Sequence, residues 1–125
     1  MKTINRVTLL GHVGQDPDIQ TYGKNDTDQP FATFSMATDE AWKNEKGDWV
    51  KKPDWHQIVV FDPHLVQLVN EKVRKGTRLF LEGTLKVRKW EDKEGKYRES
   101  ATVQVTPFEG KIRIISQPKT EEKKS

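Results

Sequence analysis

Trp55-His56-Gln57-Ile58-Val59-Val60-Phe61-Asp62-Pro63-His64-Leu65 reads as a strand running straight into a helix, and the position of that junction along the chain decides the fold. Successive strand side chains point to opposite faces, so Trp55, Gln57, Val59 and Phe61 project one way and His56, Ile58 and Val60 the other. Both faces carry apolar groups and need covering, the Trp55 face by packed protein or by a ligand. Asp62 supplies a capping carboxylate, and Pro63 suits the first helical position because its missing N–H has no helical partner there. Leu65, Leu68, Val69 and Val73 recur at three- and four-residue steps, which predicts one buried stripe. Arg74, Lys75 and Gly76 then read as a cationic last turn and a glycine stop.

Outward from this junction the pattern is β. Upstream, Val7, Leu9, Leu10 and Val13 form an apolar run interrupted by Gly11, a glycine that predicts a bend or bulge. Residues 14–30 read as loop with a short hairpin piece. Residues 31–38 predict a strand with Ala32, Phe34 and Met36 on one face. The polar stretch 39–54 is long for a loop, a length usually explained by function or disorder. Downstream, residues 77–90 predict a long strand with Leu79, Leu81, Gly83, Leu85 and Val87 inward. Its outer row is Arg78, Phe80, Glu82, Thr84, Lys86, Arg88 and Trp90. Asp92-Lys93-Glu94-Gly95-Lys96 is a hairpin tip. Residues 99–106 form the last firm strand, with Ala101, Val103 and Val105 inward, and Ile112, Ile114 and Ile115 offer a weaker edge.

Strand, strand, strand, helix, strand, strand is the order of an all-β fold with one helix, a five-stranded Greek-key barrel of the oligonucleotide-binding type (OB-fold). An SH3-like barrel lacks this helix and a ferredoxin-like fold needs two. The expected division is one domain over residues 1–115 and a short disordered tail over 116–125, which has no aliphatic residue to bury beyond Ser116.

Composition narrows the function classes. A third of the 125 residues are apolar and a third charged, enough for one modest core and too polar for a membrane-spanning helix. The absence of cysteine removes disulfides and thiolate metal sites, so nothing points to secretion. The start of the chain has no signal-peptide or transit-peptide pattern, so a protein imported into an organelle would be expected here in its processed form. The net charge is only +3, so charge distribution carries more than the total. Lysine and arginine cluster at residues 74–78 and 86–98, and the 4 tryptophans all sit among charged or polar neighbours. Large flat rings beside cations suit a polyanion that also exposes bases.

Four blocks carry a more specific signal: Asn5 to Pro17 (Asn-Arg-Val-Thr-Leu-Leu-Gly-His-Val-Gly-Gln-Asp-Pro), Trp55 to Phe61, Val73-Arg74-Lys75-Gly76, and Leu81-Glu82-Gly83-Thr84-Leu85. In this order and spacing, over about residues 5–115, the chain resembles the single-stranded DNA-binding proteins of bacteria and mitochondria. The resemblance implies a homotetramer that binds single-stranded DNA, independent of sequence, during replication, repair and recombination. No cofactor, no metal and no membrane association are expected; replication proteins are candidate partners. The resemblance places base-stacking aromatics at Trp42, Trp55, Phe61 and Trp90, with Phe61 also readable as core. Trp49 matches none of the family's recurring motifs and is either a peripheral platform or a loop anchor.

The candidate phosphate contacts are Lys43, Arg74, Lys75, Arg78, Lys86, Arg88 and Lys89, with Lys86 and Arg88 foremost because strand parity sets them beside Trp90. Arg6 is a further cation that could simply pair with a carboxylate. In similar proteins the histidine matching His56 lies at a subunit contact, and Val7 and Leu9 are assigned to the same interface. His56 beside Asp54 could also suggest a hydrolase, but no nucleophile motif completes a site. His12, His56 and His64 are too scattered for a metal site. A barrel whose exposed rings bind a protein is the other rival. Two departures stand out: the end of the chain lacks the acidic tip of bacterial members, and Lys72 stands where relatives often carry an aromatic. The first of these, with Phe61-Asp62-Pro63-His64-Leu65, looks more mitochondrial, giving an expected location in the mitochondrial matrix or nucleoid, with the bacterial cytoplasm or a phage origin as the alternative.

Overall fold

The junction lies where the sequence puts it. A computed structural model describes residues 3–22, 29–107 and 109–118. Its elements are β1 (Val7–Val13), β2 (Asp18–Tyr22), β3 (Gln29–Lys43), β4 (Trp49–Val60), α1 (Pro63–Lys72), β5 (Arg78–Glu91), β6 (Tyr97–Val105) and β7 (Lys111–Ser116). β1, β3, β4, β6 and β5 are neighbours in that order, and β1 pairs again with β5, so five strands close into a ring. β2 lies outside the ring on β3 and β7 on β5. In chain order the helix falls between the third and fourth ring strands, as expected. β2 and β7 correspond to the hairpin piece and the weak edge. The tail beyond Pro118 lies outside the described residues.

The ring is filled by the predicted inward row. Ala32, Phe34 and Met36 of β3, Ile58 and Val60 of β4, Leu79 and Leu81 of β5, and Val103 and Val105 of β6 are all buried. Full burial of a side chain such as Ile58 or Leu81 contributes about 1.5–3 kcal/mol. β4 pairs antiparallel with β3 and parallel with β6, bringing Ile58 opposite both Phe34 and Val103. α1 packs on the barrel core with Val66 and Val69 buried; Leu65 and Leu68 pack half-buried against the same core. Asp62 caps the helix by accepting the His64 N–H at 2.9 Å.

Several local expectations are corrected. The helix stops at Lys72, with Val73 extended at its C-terminus; Gly76, at φ 91°, turns the chain in the following loop. Gly11 makes no bulge: β1 pairs continuously with β5 from Val7 to His12. Its glycine is required because β1 passes so close to β3 that a Cβ would overlap the Ala37 carbonyl. Leu85, Val87 and Ala101 keep the inward parity but are exposed, because β5 and β6 run past the rim of the barrel. The largest correction concerns residues 39–54. Instead of a loop they continue β3 and β4 as a two-stranded ribbon, paired from Thr38↔Asp54 to Lys43↔Trp49.

Candidate nucleic-acid interface

Two ribbons leave the barrel: the ends of β3 and β4, and the ends of β5 and β6. Each is closed by a side-chain-capped turn. Asn44 Oδ1 accepts the N–H groups of Lys46 and Asp48, at 2.9 and 3.0 Å. Asp92 Oδ1 does the same for Glu94 and Lys96, both at 2.9 Å. Gly47 and Gly95 take φ of 84° and 82° in these turns, a conformation open to glycine at little cost. Asp92 also accepts the Arg98 Nε–H at 2.8 Å. The Lys96 amide first, then Arg98, with a lesser contribution from the Glu94 amide, hold its carboxyl below the usual aspartate range against the opposing effect of desolvation.

All four tryptophans are exposed, at 42% for Trp42, 68% for Trp49, 57% for Trp55 and 39% for Trp90, so none belongs to the core. Pairing register then decides which of them share a surface. Trp55, Gln57, Val59 and the following Phe61 line the outer face of β4. Val59 lies opposite Gln104 of β6, and Gln104 opposite Thr84 of β5. From Thr84 the same face continues through Lys86 and Arg88 to Trp90, opposite Thr102, Ser100 and Arg98. One outer surface therefore joins Trp55, Phe61, Lys86, Arg88 and Trp90. The Arg88 guanidinium lies over the Trp90 ring at 5.1 Å from its centroid, within range of a cation–π contact. Phe61 is half-buried rather than core, its ring 6.1 Å from that of Phe31.

The seat of Trp55 is a feature the sequence did not single out. A Cβ on Gly14 would overlap the indole at Cζ3, so the ring lies directly on the glycine backbone. Gly14 is held by its N–H to the Ser35 carbonyl at 2.9 Å. Its place in the Gly14-Gln15-Asp16-Pro17 block was the available signal, but a period-two reading of single strands cannot pair it with Trp55.

Other candidates are placed apart. Trp42 lies opposite Val50 on the reverse face of its ribbon from Trp55. Lys89, opposite Glu99, faces away from Trp90. Arg74 donates to the carbonyls of Asn70 and Val73, at 2.9 and 2.7 Å, satisfying the end of α1. Lys75 and Arg74 sit in the turn tied to β1 by Gly76 N–H to Val13 O, and the Lys75 amide bonds Asp16. Arg78 begins β5 opposite His12, at the far end of the strand from Lys86. Lys43 lies at the ribbon tip, 5.7 Å over the Trp49 ring. Lys51, which was not singled out, shares the ribbon face of Trp49 and Trp55.

His56 bonds Thr38 Oγ1 through Nε2 at 2.9 Å, and no hydrogen bond to Asp54 is present among the described residues. Val7 and Leu9 turn inward and pack against the core. What β1 leaves open is its edge: it pairs with β3 only at His12 and Val13, so Val7 to Gly11 have no strand partner on that side among the described residues. Leu10, Leu85, Val87 and Ile115 are exposed. Among the described residues no helix is long and apolar enough to cross a membrane.

Comparison with known proteins agrees with this architecture. Residues 4–111 match the model of the single-strand binding protein family. A mitochondrial single-stranded DNA-binding protein of Drosophila melanogaster is 38% identical over 102 residues, covering 82% of this chain and 67% of the relative. A single-stranded DNA-binding protein of Rhizobium meliloti is 35% identical over 90% of this chain, which spans 64% of that relative's length. Among solved structures, the Plasmodium falciparum SSB in complex with ssDNA superposes with a TM-score of 0.80 at 32% identity, covering 93% of this chain and 98% of that one. The fold is thus an OB-fold barrel.

Proposed function

The chain belongs to the single-strand binding protein family, and from that premise we propose that it binds single-stranded DNA independent of sequence, as a binding protein without catalysis. The observation that carries the proposal is the continuous outer face holding Trp55, Phe61, Lys86, Arg88 and Trp90. An unpaired base offers a flat face to any aromatic ring, at about 1–3 kcal/mol per stack, without any reading of its edges. Lys86 and Arg88 neutralise the phosphates that follow, with a gain that falls as salt rises. A duplex hides its base faces and finds no such platform. Trp42, on the reverse of its ribbon, and Lys43, Lys75, Arg74, Arg78 and Lys89, away from the central face, contact a strand that bends around the protein.

A role in replication, repair and recombination follows from holding exposed single strands. We assign the working form to a homotetramer. The open edge of β1 and exposed Leu10, Leu85, Val87 and Ile115 support assembly, and half-buried His56 lies on the inner-parity face near that edge. The proposed location is the mitochondrial matrix, supported by the mitochondrial relative; the bacterial relatives make the bacterial cytoplasm the alternative.

Titration with oligothymidine tests the proposal. Tryptophan emission should quench strongly with the single strand and little with duplex at moderate salt. No quenching and no gel shift would overturn it. Light scattering tests assembly separately, and a monomer at working concentration would remove the tetramer while leaving binding intact.

A further inference from the structure

The most exposed indole has no place in the central face, and nothing in the core explains it. Trp49 lies beyond the rim of the barrel, 68% exposed, at the first paired position after the Asn44 turn. An anchor for a loop would be buried against something; this ring meets the Lys43 ammonium, 5.7 Å over its face. The turn beneath it is firmly closed. Besides the two bonds to Asn44 Oδ1, Asn44 N–H donates to Asp48 O at 2.9 Å and Gly47 N–H to Asn44 O at 3.0 Å. The ring is therefore presented by an ordered ribbon.

Parity connects it to the central face. Trp49, Lys51, Pro53 and Trp55 project from the same side of β4, opposite Lys43, Ala41, Asp39 and Ala37 of β3. At about 3.3 Å per residue, Trp49 stands roughly 20 Å along the ribbon from Trp55. Lys51 lies between the rings, two residues from Trp49 and four from Trp55, and its cross-strand neighbour is the small Ala41. This face sets Lys43 and Lys51 against one carboxylate, Asp39, while Glu40 and Asp54 lie on the reverse and Glu45 and Asp48 in the turn.

We infer that Trp49 is a distal base-stacking platform, engaged when a single strand continues from Trp55 past Lys51 along the ribbon. The inference rests on the single-strand binding reading above and adds a residue and a path to it. The occupant is the outer portion of the same DNA strand, because the ring and its flanking lysines continue the proposed interface.

A length series on the intact protein tests it, using oligothymidines from about 4 to 16 nucleotides, the range of site sizes for one such barrel, with fluorescently labelled strands read by anisotropy. Trp49→Ala should follow the wild type at short lengths. Beyond the length that reaches the ribbon tip it should bind roughly 5- to 150-fold more weakly, the equivalent of one stack. Trp49→Phe should recover most of that loss. An unchanged curve at every length would overturn the inference, as would an equal loss at all lengths. If the wild type binds no strand at any length, the underlying reading fails instead, and the two failures are told apart by the wild-type curve.

Discussion

Replacing Gly14 with alanine places a methyl where the Trp55 indole now lies. The new carbon would overlap Cζ3 and stand 2.9 Å from both Cη2 of the ring and Ser35 Oγ. Carbon atoms in ordinary contact are about 3.5–4.0 Å apart, so the ring must move by roughly 1 Å or more. It can do so because its outer side is open to solvent. Gly14 has no left-handed backbone conformation that alanine would resist. The folding cost should therefore stay near the surface range, about 0.5 kcal/mol. Binding should lose much of one stack, about 1–3 kcal/mol, or roughly 5- to 150-fold in affinity. Anisotropy of a labelled oligothymidine at fixed salt measures this for Gly14→Ala, Trp55→Ala and the double variant. If the glycine acts only as the seat of the ring, Gly14→Ala costs nothing further once Trp55 is alanine. Additive losses would refute the reasoning, as would a thermal midpoint that falls as far as that of a core variant.

Replacing Lys86 or Arg88 by glutamine should reduce the slope of log affinity against log salt by about 0.7 for each phosphate contact removed, and an unchanged slope would place that side chain off the DNA path. The Asp92 carboxyl is held below its usual range, so its support of the β5–β6 turn is complete above the ordinary aspartate range and is lost as the pH falls through the lowered value. Amide exchange at Glu94 and Lys96 during acid titration reads this directly, and loss of protection at or above the ordinary aspartate value would contradict it. Leu81→Ala, at a fully buried site between Leu9 and Ile112, should cost about 2–5 kcal/mol in denaturant unfolding while leaving strand affinity of the folded protein unchanged.

Local signals made much of the fold legible. The alternation in residues 55–61 placed Ile58 and Val60 inside and Trp55 outside, and Asp62-Pro63 marked the helix start. The same alternation in β5 set Lys86, Arg88 and Trp90 on one row. Polar composition does not mark residues 39–54 as loop: they form a ribbon because cross-strand hydrogen bonds satisfy the backbone there, without any need for an apolar face. Nor does inward parity bury Leu85 and Val87, because the barrel has already ended where they lie.

Residue order alone carries what depends on neighbours along the chain: strand faces, the helix entry, the turn residues, the exposed character of the indoles and the family. Register between distant strands is set in three dimensions, and what depends on it shows only in the folded barrel. Pairing β4 through β6 to β5 unites Trp55 with Trp90, a one-residue difference in parity sends Trp42 to the other face, and the approach of β1 seats Trp55 on Gly14. Each strand carries its own period of two, but only ring closure sets the phase of one strand against the next.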